Sequence, residues 1–326
     1  MRIELKDAAE KLKAAEKIVV TAHVNPDGDA IGSSLALMQM LKAMNKQVRV
    51  FIDDALPLTF LILPQIEKIE RPSQLAEKSV EADLLVVLDT QPDRIGGVLN
   101  LVKAPILNID HHVTNEGKTV DWLYLNANAA ASCEIVFELS KLLPIELSLD
   151  MAHCLYTGLA TDTGFFNYAN TRPSTLRAAA SLIEAGVKPN VIAEEMERKS
   201  LADVKGLIET LQTMQLYFDG KVAGIFVSQE VSDMVDTTEG FIDIVRVIDG
   251  VEIAFMLTCK AENLCRVSMR SRTVDVAAIA RSLGGGGHIR AAGCTIKKPF
   301  EEAKKTLIDA IGKGLLIRNY ELGIRN

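Results

Sequence analysis

Cysteine is scarce and unpatterned in this 326-residue chain: Cys133, Cys154, Cys259, Cys265 and Cys294 are odd in number and form no CxxC pair. The spacing argues against a disulfide framework or a structural zinc knuckle, and predicts reduced, mostly buried thiols. Long apolar runs are absent too. None reaches the ~20 residues a bilayer span needs, and the charged amino end, Met1-Arg2-Ile3-Glu4-Leu5-Lys6-Asp7, lacks the pattern of a signal peptide. A cytoplasmic protein without membrane association is expected. Basic residues are outnumbered, 36 Lys and Arg against 43 Asp and Glu, for a formal net charge of −7. A protein that coats long duplex nucleic acid neutralises many phosphates and would carry the opposite excess, whereas short phosphorylated substrates stay compatible.

Hydrophobic residues make up 48% of the chain, ample for a core, and the length suggests about two domains. Strands are expected at 17–23, 47–52, 82–89 and 105–110, with a helix over 30–45 whose Ile31, Leu35, Met38, Leu41 and Met44 recur at helical spacing. This alternation predicts an α/β fold with a mostly parallel sheet. A further helix is expected at 150–160, then helices at 173–185, 189–199 and 201–218. A second series follows, with strands at 221–227, 252–259 and 265–270 and helices at 275–283 and 300–317. The resulting division is a parallel-sheet domain over 1–187, a helical connector over 188–219 and a smaller α/β domain over 220–326. The cleft between the two domains is the expected active site.

Histidine is rare, with five residues, and four of them fall in loop-like motifs. His23 opens His23-Val24-Asn25-Pro26-Asp27-Gly28-Asp29, His111 and His112 follow Asp110, and His288 follows four glycines. His23, Asp89 and the Asp110-His111-His112 run each come directly after an apolar strand, so in an open parallel sheet they share the edge where ligands bind. A fourth segment, Thr161-Asp162-Thr163-Gly164, arrives from the end of a helix. Imidazole and carboxylate without thiolate suit two divalent cations, Mn²⁺ first because histidine contributes, with Mg²⁺ as the alternative. Two such ions can share a carboxylate and a water and clamp phosphoryl oxygens. Taken singly, Asn25-Pro26-Asp27-Gly28-Asp29 also reads as an ordinary capped turn, Asp89 as a helix cap and Asp110-His111-His112 as a polar strand exit. That reading gives no reason for all of them to share one edge.

On these motifs the sequence resembles the DHH/DHHA1 phosphoesterases, RecJ-like enzymes that include oligoribonucleases also acting as phosphoadenosine phosphate (PAP) phosphatases. His23-x-x-x-Asp27-x-Asp29, Leu88-Asp89, Asp110-His111-His112 and Thr161-Asp162-Thr163-Gly164 are similar to the family's successive motifs in order and spacing. The resemblance implies one cation held by His23, Asp27 and Asp89, and a second held by Asp29, Asp89, His111 and Asp162, with Asp89 as the bridge. It implies that His112 acts beside the scissile phosphate and that Asp110 orients a histidine.

Near the carboxyl end, Arg270-Ser271-Arg272 precedes Gly284-Gly285-Gly286-Gly287-His288 and Ala291-Ala292-Gly293. A glycine run allows close backbone approach and can aim N–H groups at an anion, although it also reads as a flexible helix stop. Arginine forks recognise phosphate. This pattern is similar to the DHHA1 substrate-binding motif, which implies nucleotide binding by Arg270, Ser271, Gly286, Gly287 and His288, with Arg272 a solvated neighbour. Ser132 is expected to cap a helix, His153 to be a helix or core residue, and Phe165, Phe166 and Tyr168 to pack or to stack on a base.

The implied activity is metal-dependent hydrolysis of phosphoesters in short single-stranded RNA or nucleotide phosphates, releasing mononucleotides. A dinucleotide phosphodiesterase, an inorganic pyrophosphatase-like hydrolase and a noncatalytic nucleic-acid-binding module are the competing readings. The sequence leaves a homodimer open.

Overall fold

The computed structural model describes residues 1–321 apart from 236, 239 and 262, with no account of the side chains of 260, 261, 288 and 316–321. The chain divides into two compact units, Met1–Arg198 and Lys199–Asn326.

The first unit begins with helix α1 (Leu5–Ala14) and strand β1 (Lys17–Thr21), followed by α2 (Gly28–Ala43) and β2 (Gln47–Phe51). After β3 (Ile69–Glu70) come β4 (Leu84–Leu88), α3 (Val98–Leu101), β5 (Ile106–Asp110), β6 (Trp122–Leu125), α4 (Ser132–Ser140), α5 (Leu149–Asp162), α6 (Pro173–Glu184) and α7 (Pro189–Glu197). Its six strands lie in the order β3-β2-β1-β4-β5-β6 and every pair is parallel. β4 is Leu-Leu-Val-Val-Leu and buried throughout, as a strand covered on both faces must be. The chain builds outward from β1 to β3, then returns to the other side of β1 with β4. Strand order therefore reverses between β1 and β4, and their carboxyl ends flank the crevice where open α/β sheets bind ligands.

α2 is buried on nearly every side, which its composition permits because Ala, Ile, Leu and Met dominate it. It crosses α5 at a separation that only glycine allows. A Cβ on Gly28 would come within 2.3 Å of Thr161 Oγ1, one on Gly32 within 2.4 Å of the Cys154 carbonyl, and one on Gly158 within 2.3 Å of Cys133 Sγ. The crossing brings the start of α2 against the end of α5, the two places that carry Asp29 and Asp162.

The second unit contains α8 (Leu201–Gln212), β7 (Gln215–Tyr217), β8 (Val222–Val227), α9 (Gln229–Met234), α10 (Phe241–Arg246), β9 (Ile253–Ala261), β10 (Leu264–Ser271), α11 (Val276–Ser282), β11 (Gly286–His288), β12 (Ala291–Ile296) and α12 (Phe300–Glu321). Its sheet runs β11-β12-β10-β9-β8-β7, antiparallel except for β8 beside β9. One face packs Phe255, Leu257, Val267 and Met269 against Ile279 and Leu307 of α11 and α12. The other packs Ile225, Ala254 and Met256 against Phe241 and Val245 of α10. Among the described residues no helix is long and apolar enough to cross a membrane.

Three expectations are corrected. The helix expected over 201–218 ends at Gln212, because Thr213 Oγ1 bonds both the N–H and the carbonyl of Phe226 and turns the chain into β7. Cys259 and Cys265, expected to be reduced, are joined in a disulfide. Antiparallel pairing sets them opposite each other in β9 and β10, a register that a spacing of six does not reveal. Cys133, Cys154 and Cys294 are free and buried. Finally, part of the glycine run is a strand and not an open loop: Gly286, Gly287 and His288 pair with Gly293, Ala292 and Ala291. Missing side chains permit it, since a Cβ on Gly285 would lie 2.2 Å from the Gly293 carbonyl and one on Gly287 2.6 Å from that of Ala291.

Candidate active site

The motif residues of the first unit converge. Asp27 ends the turn after β1 and caps α2, its Oδ1 accepting from the N–H groups of Asp29 and Ala30 at 3.0 Å. Its Oδ2 faces His23 Nε2 at 3.7 Å. The ordinary-turn reading and the ligand reading of this motif are thus carried by different oxygens of one carboxylate. His23 Nδ1 lies 2.9 Å from the Val24 carbonyl, which leaves Nε2 as the inward nitrogen.

Asp89 stands at the exit of β4 with φ of +59°, a left-handed conformation that Asp tolerates better than most residues. Its side chain is 2% exposed. One oxygen faces each side of the site, with Oδ2 3.4 Å from His23 Nε2 and Oδ1 3.2 Å from His111 Nε2. His111 Nε2 also lies 3.9 Å from carboxylate oxygens of both Asp29 and Asp162. That nitrogen is buried without a hydrogen-bond partner, an uncommon condition for a ring nitrogen ringed by carboxylates.

Two ligand groups follow, each with its donor atoms within 4.8 Å of one another: His23, Asp27 and Asp89, and then Asp29, His111 and Asp162. Asp89, Asp110, His111 and His112 form a third such group. The donors are nitrogen and oxygen only, the carboxylates outnumber the imidazoles, and a buried nitrogen is orphaned. This donor set fits divalent cations.

The electrostatics agree. Burial raises the Asp29 pKa well above the carboxylate range, and the neighbouring Asp89 and Asp162 add to it. Asp162 is pushed up to about 6, chiefly by burial. Burial works against protonating His23 and His111, yet Asp27 and Asp89 beside the first and Asp89 and Asp29 beside the second outweigh it, giving about 10 for each. Clustered carboxylates repel one another and hold protons on the histidines. A cation would relieve both effects.

Asp110 is wholly buried and belongs to the group formed with Asp89, His111 and His112. Its Oδ1 accepts from the His111 and His112 backbone N–H groups and lies 2.8 Å from His112 Nδ1. Burial opposes its ionisation, but the His112 contact wins and lowers its pKa. An ionised carboxylate can only accept, so His112 Nδ1 carries the proton and Nε2 is the nitrogen turned to other work.

Several residues that hold the site were not read as site residues from sequence. Ser132 does not cap α4: its hydroxyl donates to Asp89 Oδ1 at 3.1 Å. The Ser132 and Cys133 N–H groups donate to the two oxygens of Asp29 at 2.6 and 2.7 Å, so the first turn of α4 clamps one candidate ligand and its serine a second. Asn115 Nδ2 donates to Asp110 Oδ2 at 2.6 Å and to Asn108 Oδ1 at 2.8 Å. Asn108 Nδ2 in turn holds the Val87 and Thr90 carbonyls on either side of Asp89. Asn170 ties the Ala130 and Asp162 carbonyls together. An asparagine inside the apolar strand Ile106-Leu107-Asn108-Ile109 was the available signal, because a buried amide must have partners.

Phe165 and Phe166 pack against the core, and Tyr168 is half exposed. His153 is partly buried on α5. In the second unit, Arg270 on β10 lies opposite Ala291 on β12, which lies opposite His288 on β11, so the three positions form one row. The side chain of His288 lies outside the described residues. Ser271 is buried and its hydroxyl donates to the Val274 carbonyl, which commits that proton within the fold. Arg272 donates to the Val247 carbonyl at the surface.

Residues 17–159 match the DHH family, N-terminal domain, and residues 219–314 match the DHHA1 domain. The chain is 34% identical to the bifunctional oligoribonuclease and PAP phosphatase NrnA of Thermus thermophilus, an alignment covering 96% of this chain and 94% of that one. An exopolyphosphatase-related protein from Bacteroides fragilis has a crystal structure that superposes with a TM-score of 0.88 at 28% identity, covering 95% of this chain and 96% of the other. The exonuclease RecJ bound to manganese shares the fold at a TM-score of 0.52 and 13% identity, over 94% of this chain and 93% of that one. With both domain models and a relative aligned over almost the whole chain in agreement, the chain belongs to the DHH family and carries a DHHA1 domain.

Proposed function

We propose that this protein is a metal-dependent phosphoesterase that hydrolyses short single-stranded oligoribonucleotides to mononucleotides and removes the 3′-phosphate of PAP, in the cytoplasm. The observation that carries the reading is the placement of Asp89, with one oxygen toward His23 and the other toward His111. The 34% identity to an NrnA protein over almost the whole chain supports the choice of substrate class.

His23, Asp27 and Asp89 would hold one divalent cation, and Asp29, Asp89, His111 and Asp162 a second, Mn²⁺ being favoured by the histidines and Mg²⁺ the alternative. When bound, such a pair makes water nucleophilic near neutral pH and offsets the charge of the phosphoryl oxygens. The protein's own part is positioning. Asp110 holds His112 through Nδ1, so that Nε2 can donate a proton to a phosphoryl or leaving oxygen; the same contact raises the His112 pKa against its burial. In the second unit, the Arg270 row and the glycine strand with Gly286, Gly287 and His288 would bind the nucleotide, the fork of Arg270 on a phosphate and Ala291 and Gly293 leaving room for sugar and base.

The test is turnover of RNAs of graded length, PAP, a linear dinucleotide and pyrophosphate, each with Mn²⁺ and with Mg²⁺. Cleavage of short RNAs and PAP is expected to exceed pyrophosphate hydrolysis. Faster hydrolysis of pyrophosphate than of any nucleotide would overturn the substrate assignment.

A further inference from the structure

The second sheet has a face that is only half covered. Along β10, Cys265, Val267, Met269 and Ser271 are buried, while Leu264, Arg266, Ser268 and Arg270 alternate with them and are partly or fully exposed. The α10 core covers this alternate face over β8 and β9, where Ala254 and Met256 are buried. The β12 positions that continue it, Ala291, Gly293 and Thr295, are half-buried to exposed. Packing thus gives out at β10. The open strip carries two arginines with a serine between them, and small residues beside them: Arg270 lies opposite Ala291, Ser268 opposite Gly293, and Arg266 opposite Thr295.

Arg266 is not accounted for by the fold. Both of its cross-strand neighbours, Thr258 and Thr295, are uncharged, and among the described residues none forms an ion pair or hydrogen bond with its side chain. Arg49 on β2, by contrast, is held by Glu70 and Glu77. Four residues of strand separate Arg266 from Arg270, about 13 Å at the usual rise, which is farther than one nucleotide's own phosphates can bridge. A phosphodiester chain running along β10 would meet a guanidinium, a hydroxyl and a second guanidinium in turn.

We propose that Arg266 is a phosphate subsite for a nucleotide beyond the one held at Arg270, so that β10 reads substrate length. This rests on the oligoribonuclease reading above. A mononucleotide such as PAP engages Arg270 alone, whereas an oligonucleotide of three or more residues also reaches Arg266.

The experiment compares wild type with Arg266→Ala and Arg266→Lys on PAP, a dinucleotide and a pentanucleotide RNA in Mn²⁺. Loss of one charge-assisted contact is expected to raise the pentanucleotide-to-dinucleotide ratio of KM about tenfold in Arg266→Ala. Lysine should recover most of that. The slope of log KM against log salt for the pentanucleotide should become shallower by about 0.7, the value of one phosphate on a single strand. An unchanged ratio, or an equal rise in KM for all three substrates, would overturn the subsite. Failure of wild type to cleave any RNA would instead sink the oligoribonuclease reading, and this proposal with it. Circular dichroism and turnover of PAP distinguish a folded variant from a damaged one.

Discussion

Replacing Gly158 by alanine should separate the candidate ligands Asp29 and Asp162 from a distance. In an open helix this change stabilises by about 1 kcal/mol, because alanine is the better helix former. Here the new Cβ would lie 2.3 Å from Cys133 Sγ and 2.9 Å from both the Asp29 Cα and the Gly28 carbonyl. Two of those three neighbours are backbone and cannot rotate away, so the overpacking cost falls near the upper end of its usual range, about 3 kcal/mol. The net effect is a loss of about 2 kcal/mol, relieved by pushing α2 away from α5 and therefore Asp29 away from Asp162. Trp122 is the only tryptophan and sits on β6, so its fluorescence reports the first unit. In urea with chelator, the Gly158→Ala midpoint should fall by about 1 M. Mn²⁺ affinity by calorimetry should drop about tenfold, as for other changes that misplace ligands. Adding Cys133→Ala should restore only part of the loss, since the backbone contacts remain. A Gly158→Ala protein that gained stability and kept its Mn²⁺ affinity would refute the close crossing of α2 and α5, and with it the account of how Asp29 and Asp162 meet.

Four further outcomes are expected. Asp89→Asn should lower kcat by a factor of at least about 10³ and reduce bound Mn²⁺ below two per chain, read by turnover and by metal analysis after dialysis; near-full activity would dismiss the bridge. Ser132→Ala should cost about 10-fold in Mn²⁺ affinity or kcat with little change in KM, because the hydroxyl donates to Asp89. Asn115→Leu should lower kcat by freeing Asp110 and the Asp89 turn, while KM for PAP stays within about twofold; a rise in KM alone would contradict a positioning role. Burial pushes the thiols of Cys154 and Cys294 up to about 12 and about 11, so both remain protonated at pH 8 and should not react with a thiol reagent until the protein unfolds.

Much of the first unit was legible in the linear pattern. β1, β2, β4 and β5 lie within the expected segments, β1, β4 and β5 as short apolar runs that end at or just before a polar residue, and α2 and α5 begin close to the expected positions. Three of the four candidate ligand segments could be read off for the same reason, polar groups at the ends of buried strands being conspicuous, while the fourth, with Asp162, stands at the end of a helix. β3, β6 and α3 were not placed, and of α4 only the start beside Ser132 was. They are short, or lack a distinctive period, and are held by neighbours distant in the chain.

The sequence alone determined which residue types were available for chemistry and on which edge of a parallel sheet they would stand, since strand direction fixes where the carboxyl ends lie. Tertiary structure decided how those residues share their bonds. The two oxygens of Asp89 face different histidines only because β1, β4 and β5 are adjacent, and Asp29 meets Asp162 only because glycines let two helices approach. Ser132, Asn108 and Asn115 acquire their partners through contacts between residues 5 to 103 positions apart. Such pairings depend on distance in space, which local periodicity does not encode, and the disulfide between Cys259 and Cys265 was missed for the same reason.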